Sequence, residues 1–191
     1  MFARTQRLLL RPGWADDAPA LQQAIAHEEV ALKLARLPWP YTLSDAHWFL
    51  EQERKEGDVS FLIFTRTAGL PRLIGGCGIH DQDGEPEIGY WIAPAYWGLG
   101  FATEAGHAVI DIARHTLRLP RLVSGHFTDN PASGKVLRKL GFRPTGRIEN
   151  RMSLARGKAA PCALYALDLE SDADGDGASD MPTDVITRLA A

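Results

Sequence analysis

A chain of 191 residues with 45% hydrophobic and 24% charged side chains can bury a core without disulfide or metal staples, and its length suits one domain. The formal charge of -3 is unevenly spread: residues 170–191 hold Glu170, Asp172, Asp174, Asp176, Asp180 and Asp184 against Arg188, leaving 18 acidic and 20 basic side chains before them. A body near +2 with no dense Lys/Arg stripe argues against nucleic-acid binding and suits an anionic small molecule.

The opening MFARTQRLLLRPG has an apolar run of only three leucines, too short for a signal peptide or a membrane span. A cytoplasmic protein away from membranes is expected. Residues 7–12, RLLLRP, are predicted as a first strand. ADDAPALQQAIA follows with helical spacing, Asp16 or Asp17 serving as N-cap. After the Pro-rich LPWPY, Ser44 is expected to open a second helix through SDAHWFLEQERK. SFLIFTR and RLIGGCGIH read as strands joined by TAGLP, with Gly75-Gly76 marking a bulge or a close backbone approach.

DQDGEP is a turn and EIGYWIAP a further strand ending at Pro94. A helix is predicted from about Thr103 to Leu117, with Ala105, Val109, Ile112, Ala113 and Thr116 on one stripe. RLVSGHF is the next strand. NPASGKVLRKLGF follows as a helix with Asn130 as cap, Pro131 in the first turn and Gly141 closing it. CALYALDL ends the body as an alternating strand. Cys77 and Cys162 lie in apolar-leaning segments without a pairing or ligand spacing, so they read as buried thiols of a reducing compartment. No metal is expected. This order of elements gives an α+β (mixed α/β) single domain over residues 1–169.

From residue 171 the composition turns polar, small and acidic. DADGDG starts like a calcium loop at Asp172, Asp174 and Asp176, but its twelfth position falls on Thr183 where a bidentate Glu is needed. Residues 170–191 are expected to be a flexible acidic tail, and whether VITRLAA forms a short terminal helix stays open.

The strand EIGYWIAP, the turn Trp97-Gly98-Leu99-Gly100 and the helix after it form one unit. Two glycines around one leucine bring no packing; they suit positive φ or a ligand approaching the backbone closely. A helix N-terminus offers free N–H groups and a partial positive charge, which favour phosphate. Neither standard phosphate loop fits, because GxGxxG would need glycine where Thr103 stands and a Walker loop needs a lysine that the turn lacks.

The turn resembles the pyrophosphate turn of the GNAT superfamily of N-acetyltransferases, Arg/Gln-x-x-Gly-x-Gly/Ala, here Trp97-Gly98-Leu99-Gly100-Phe101-Ala102. Trp97 departs from the Arg or Gln of the first slot. RLLLRPGWADDAPAL, EIGYWI and NPASGKVLRKLGF are similar to further segments of one branch, the bacterial ribosomal-protein serine/alanine N-acetyltransferases. Together they cover roughly residues 4–169 in order. The resemblance implies a central, mostly antiparallel sheet flanked by helices, splayed at the fourth and fifth strands, with a bulge in the fourth. It implies acetyl-coenzyme A as co-substrate and a primary amine as acceptor, either a protein N-terminus or a small amine. The cofactor contacts it implies are Ile92 and Ala93 on the splayed strand, Trp97, Gly98, Leu99, Gly100, Phe101, Ala102 and Thr103 in the turn, and Asn130, Ser133 and Lys135 in the last helix.

An attacking amine must lose a proton, and near neutral pH an alkylamine is almost wholly charged. Glu87 is the candidate base, acting through water, with a solvated Glu beside Glu85 as the other reading; His80 is the rival base. Many superfamily members place a tyrosine seven residues beyond the asparagine, but here that position is Leu137. Ser133, three beyond Asn130, is expected to serve the leaving thiolate as an acid or as a hydrogen-bond partner, its alternative role being a helix cap. An acyl-coenzyme A sensor without turnover is the second class of function. The missing tyrosine favours the sensor, while Glu87 and Ser133 favour the enzyme. The acceptor segments implied are LARLPWPYTLSDAHW, aromatic through Trp39, Tyr41 and Trp48, and GRIENRMSLARGKA, basic through Arg147, Arg151, Arg156 and Lys158. They suit a peptide or an acidic amine, and equally a dimer face, so monomer and homodimer both stay open.

Overall fold

The computed structural model describes residues 1–170 apart from 54, 56 and 68; the DADGDG stretch and VITRLAA lie outside the described residues. Its strands are β1 (Ala3–Arg4), β2 (Leu8–Arg11), β3 (Val59–Thr65), β4 (Leu73–Gln82), β5 (Glu85–Ile92), β6 (Arg121–Phe127), β7 (Arg143–Ser153) and β8 (Lys158–Asp168). Its helices are α1 (Ala18–Ile25), the single turn α2 (Glu28–Ala31), α3 (Leu43–Glu51), α4 (Phe101–His115) and α5 (Pro131–Lys139). One sheet runs in the order β1-β2-β3-β4-β5-β6-β8-β7. Every neighbour pair is antiparallel except β5 and β6.

Side-chain alternation along the strands explains the layers. On β3, Phe61 and Ile63 join the cluster under α4 and α5, while Leu62 and Phe64 join the cluster under α1 and α3. A strand covered on both faces reads as a continuous apolar run, as SFLIF does. On α4 the stripe Ala105, Val109, Ile112 and Ala113 is buried, with Thr116 outside as the C-cap. Burial of such side chains, about 1.5–3 kcal/mol for each large aliphatic, locks α4 against β2, β4 and β5. Both cysteines are buried and unpaired, and burial pushes the Cys77 thiol up to about 12.

Several elements differ from the sequence expectation. β1 is added ahead of RLLLRP, so the strands expected to splay, fourth and fifth by sequence, are β5 and β6. β7 overlaps the segment 146–159 expected to be an acceptor loop. It is an edge strand with nearly every side chain exposed, and an exposed edge imposes no apolar alternation. The second helix opens at Thr42, not Ser44: the Thr42 hydroxyl accepts from the Asp45 amide and the Asp45 carboxylate accepts from the Thr42 amide. Asp17 and Asn130 stand at cap positions but make no side-chain cap bond, since the Asp17 carboxylate is taken by Arg11 and the Trp14 amide. The expected bulge in the splayed strand is absent, the β4–β5 register being continuous from Gly75–Ile92 to Gln82–Glu85. The irregularity falls instead between β3 and β4, at Ile63/Phe64. Gly75-Gly76 does mark a close approach, because a Cβ on Gly76 would lie 2.5 Å from the Trp91 indole nitrogen.

The start of α4 is clamped onto the first strands. Glu104 accepts from Thr5 Oγ1 at 2.5 Å, from the Arg7 amide at 2.9 Å and from Arg7 Nε at 2.7 Å. Arg7 also donates to the Leu99 carbonyl at 3.1 Å and lies over the Phe101 ring. Burial pushes the Glu104 carboxyl up, but the bonds from Thr5 and Arg7 outweigh it and hold the group below the ordinary glutamate value. A depressed carboxyl stabilises the fold above its unfolded pKa, and that contribution is lost as pH falls through the folded pKa. Glu104→Gln is therefore expected to lose about 1–2 kcal/mol at neutral pH, discounted for the partly exposed Arg7. The gap to the parent protein should close as urea unfolding is repeated below about pH 4.

Candidate active site

The parallel contact between β5 and β6 is a single backbone pair, Glu87 with Val123. Just above it Ser124 Oγ donates to the Ile88 carbonyl at 2.9 Å, and beyond that the two strands diverge. Antiparallel pairing turns alternate residues toward each neighbour. With Ala93 donating to the Ile74 carbonyl at 2.8 Å and Ile92 opposite Gly75, the odd-numbered residues of β5 bond to β4. Tyr90 and Ile92 therefore turn their amides toward the gap. Of the two residues expected to contact the cofactor here, Ile92 turns its amide into the gap, whereas the Ala93 amide is taken by the Ile74 carbonyl.

After β5 the chain makes a 3-10 turn at Pro94–Tyr96 and enters the glycine turn. Gly98 and Gly100 hold φ of +76° and +82°, the left-handed region where a Cβ is costly. Gly100 is the N-cap of α4, and no side chain caps the helix. Glu104 bonds to the Gly100 carbonyl, so the amides of Phe101, Ala102 and Thr103 precede the first helical acceptor. A Cβ on Gly98 would meet nothing within 4 Å. These amides and the open backbone fit a diphosphate at a helix N-terminus. Leu99 is exposed at the tip of the turn. The Trp97 indole donates to the Ile92 carbonyl at 2.6 Å, on the gap-facing edge of β5, and Lys33 stands 3.6 Å over its ring. The slot that holds Arg or Gln in the family pattern here joins the turn to the end of β5 and to the segment after α2.

The first turn of α5 faces the same gap. Ser133 does not cap the helix; its Oγ lies 2.8 Å from the Tyr90 hydroxyl. Lys135 is exposed two residues further on, and the Asn130 amide donates to the Phe127 carbonyl. Tyr90 carried no role in the sequence reading, although its place between Ile88 and Ile92 on an alternating strand directs it toward the last helix.

On the opposite face of β5, Glu87 is 6% exposed, which excludes a solvated surface glutamate. Arg151 of β7 donates to Glu87 Oε1 at 2.6 Å. The second oxygen, Oε2, is buried and has no partner among the described residues. Glu87 lines a cleft of about 220 Å³ together with Val123, Ser124, Glu149 and Arg151. His80 stands opposite Glu87 on β4, its ring 3.7 Å from where a Gly89 Cβ would be. Burial, then the charge of Arg36, holds His80 below its ordinary value against the opposing pull of Glu87 and Asp58, so the ring is neutral at pH 7.

The two segments expected to meet the acceptor are tied together. Ser153 Oγ donates to the Leu34 carbonyl, the Leu154 amide to the Ala35 carbonyl, and Arg156 to both the Leu32 carbonyl and Asp129. Arg147 and Arg156 are paired with Glu149 and Asp129, as Arg151 is with Glu87. The basic character expected of this region is thus largely neutralised.

Gly100→Asp tests the turn. The new side chain has room, the nearest atom to its Cβ being Arg7 Nη2 at 3.6 Å, and it sets a carboxylate beside the free amides. Coenzyme A affinity measured by calorimetry should fall more than tenfold, about 1.4 kcal/mol; unchanged binding in a folded variant would remove the turn from the site.

Comparison with known proteins agrees with this geometry. Residues 7–143 match the family described as "Acetyltransferase (GNAT) domain". The uncharacterized N-acetyltransferase YoaA of Bacillus subtilis (strain 168) is 30% identical over 156 residues, 78% of this chain and 86% of that protein. An acetyltransferase of the GNAT family from Bacillus anthracis superposes with a TM-score of 0.75 at 24% identity, covering 89% of this chain and 99% of that one. A ribosomal-protein-S5-alanine acetyltransferase from Vibrio fischeri gives 0.73 at 17% identity, over 89% and 97%. The last two likenesses concern the fold. The family match over most of the body, joined to the splayed sheet and the uncapped glycine turn, shows that the chain belongs to the GNAT acetyltransferases, which use acetyl-coenzyme A as acetyl donor.

Proposed function

We propose that this chain acetylates a primary amine, that of a protein N-terminus or of a small molecule, at the gap between β5 and β6. The observation that carries the reading is the meeting of two sets of unused backbone donors. The free edge of β5 at Tyr90 and Ile92 leads to the uncapped N-terminus of α4. Acetyl-coenzyme A, when bound, supplies an activated acetyl thioester.

The residues divide the remaining work. The amides of Phe101, Ala102 and Thr103 hold the diphosphate, and the Ile92 amide polarises the acyl oxygen. Glu87 Oε2 receives, through a water, the proton that the amine gives up as its nitrogen bonds to the acyl carbon and the carbon–sulfur bond breaks. Ser133 donates a hydrogen bond to the departing sulfur. A buried carboxylate oxygen without a partner costs free energy; a fold that keeps one at Glu87 supports turnover over a sensor that only binds.

The exposed surface bears on the acceptor. With Arg147, Arg151 and Arg156 already paired, the two acceptor segments also present large apolar side chains: Trp39, Trp48, Ile148, Met152 and Leu154 are exposed. This supports a peptide N-terminus with apolar flanking side chains over an acidic small amine. The ribosomal-protein substrate in the name of the Vibrio fischeri relative is compatible with it.

Release of free coenzyme A thiol, followed with a panel of peptide N-termini and small amines, should be steady and amine-dependent; a sensor gives at most one equivalent. Glu87→Gln should lower turnover at least tenfold near pH 7, recover partly at higher pH, and leave coenzyme A binding unchanged. If His80→Gln gives that loss and Glu87→Gln does not, the proton goes to the imidazole instead.

A further inference from the structure

The Tyr90 phenol, bonded to the α5 turn, has no task in the mechanism above. Tyr90 belongs to the β5 face of Ile88 and Ile92, and its ring packs against the core cluster under α4 and α5. Its hydroxyl reaches across the gap to α5, 2.8 Å from Ser133 Oγ and 3.1 Å from the Ser133 carbonyl oxygen. The same turn of α5 is pressed onto the far arm of the gap. A Cβ on Gly134 would lie 2.6 Å from His126 Nε2 of β6 and 3.3 Å from the Tyr165 hydroxyl of β8. The turn that carries Ser133 is thus held from β5 by Tyr90 and from β6 and β8 by close packing.

Burial, against the smaller opposite effect of the Ser133 bond, raises the Tyr90 phenol well above its ordinary range, so it keeps its proton and remains a donor at working pH. A phenol has one proton to give. Donated to Ser133 Oγ, it leaves the serine's own hydrogen free to point elsewhere. Donated only to the Ser133 carbonyl, it would let the serine hydrogen be drawn back to the phenol oxygen. The shorter of the two contacts is to Oγ.

We propose that Tyr90 is a positioning residue for acetyl transfer: its hydroxyl donates to Ser133 Oγ and turns the serine hydrogen toward the coenzyme sulfur. The proposal rests on the reading that Ser133 faces that sulfur. As the carbon–sulfur bond breaks and the electron pair stays on sulfur, Ser133 O–H bonds to the thiolate and Tyr90 O–H bonds to Ser133. Neither hydroxyl loses its proton, and the thiolate is protonated later by solvent. Two hydroxyls in series strengthen one another as donors where water is excluded.

The test uses Tyr90→Phe, Ser133→Ala and the double variant, read in two ways. The first is the pH titration of the thiolate ultraviolet absorbance of bound coenzyme A, taken as a difference from protein alone. The free thiol titrates near about 8.5; the parent protein should depress this, and all three variants should raise it again by the same amount, about half a unit to one unit. The second is kinetics: kcat falls about fivefold to tenfold in each single variant, the double variant falls no further than Ser133→Ala, and the donor KM stays within about twofold. Tyr90→Phe removes one oxygen from a buried ring, and equal coenzyme A affinity identifies a folded variant. Should it fail to fold, the same two readouts are taken with Tyr90→Trp. If Ser133→Ala moves neither readout, the Ser133 reading fails and the proposal with it. If Ser133→Ala moves both and Tyr90→Phe moves neither, or if the two losses multiply, Tyr90 does not act through Ser133 and the proposal alone is overturned.

Discussion

A β-strand that loses one neighbour keeps its backbone donors and acceptors, and they must be satisfied by something else. In this molecule β5 meets β6 at one residue pair and then parts from it, while its other edge stays bonded to β4 over the full length from Glu85 to Ile92. The polar groups at Tyr90 and Ile92 are left facing a gap inside the protein. Two of the carbonyls along this edge are answered by side chains, Ile88 by Ser124 and Ile92 by the Trp97 indole. The amides of Tyr90 and Ile92 turn into the gap on this same edge.

The surrounding elements keep that edge open and aim it. Arg7 and Glu104 fix the first turn of α4 to β1 and β2, so the helix N-terminus lies at the end of the exposed edge. Tyr90 on one arm, with His126 and Tyr165 on the other, seats α5 across the gap. On the opposite face, Arg151 reaches from the outermost strand to a carboxylate buried at the base of the gap. One sheet defect thus sets open backbone amides on one face and a buried carboxylate on the other, with a single strand between them.

Much of this was legible in the sequence, for identifiable reasons. Gly98 and Gly100 can be read because positive φ next to a helix leaves few alternatives to glycine, and both occupy that region. The stripe on α4 and the two-sided apolar run of β3 follow from burial, which imposes periodicity. β7 was not legible: exposed on the sheet edge, with Pro144 and Gly146 beside a register shift, it carries no alternation to find. The roles of Tyr90, Arg7 and Arg151 escaped because each acts on a residue far along the chain, Ser133, Glu104 and Glu87 respectively. Long-range polar pairs leave no local pattern. The Trp97 substitution could be seen but not interpreted until its indole was found on the Ile92 carbonyl.

The central claim is that the free edge of β5 and the uncapped start of α4 form one continuous bed for the coenzyme. Amide chemical-shift perturbation in an isotopically labelled sample titrated with coenzyme A tests it most directly. The account predicts that the amides of Tyr90, Ile92, Phe101, Ala102 and Thr103 move together at one dissociation constant, while Gly89 and Trp91, bonded to β4, move little. Shifts confined to another surface, or spread equally over odd and even residues of β5, would contradict it.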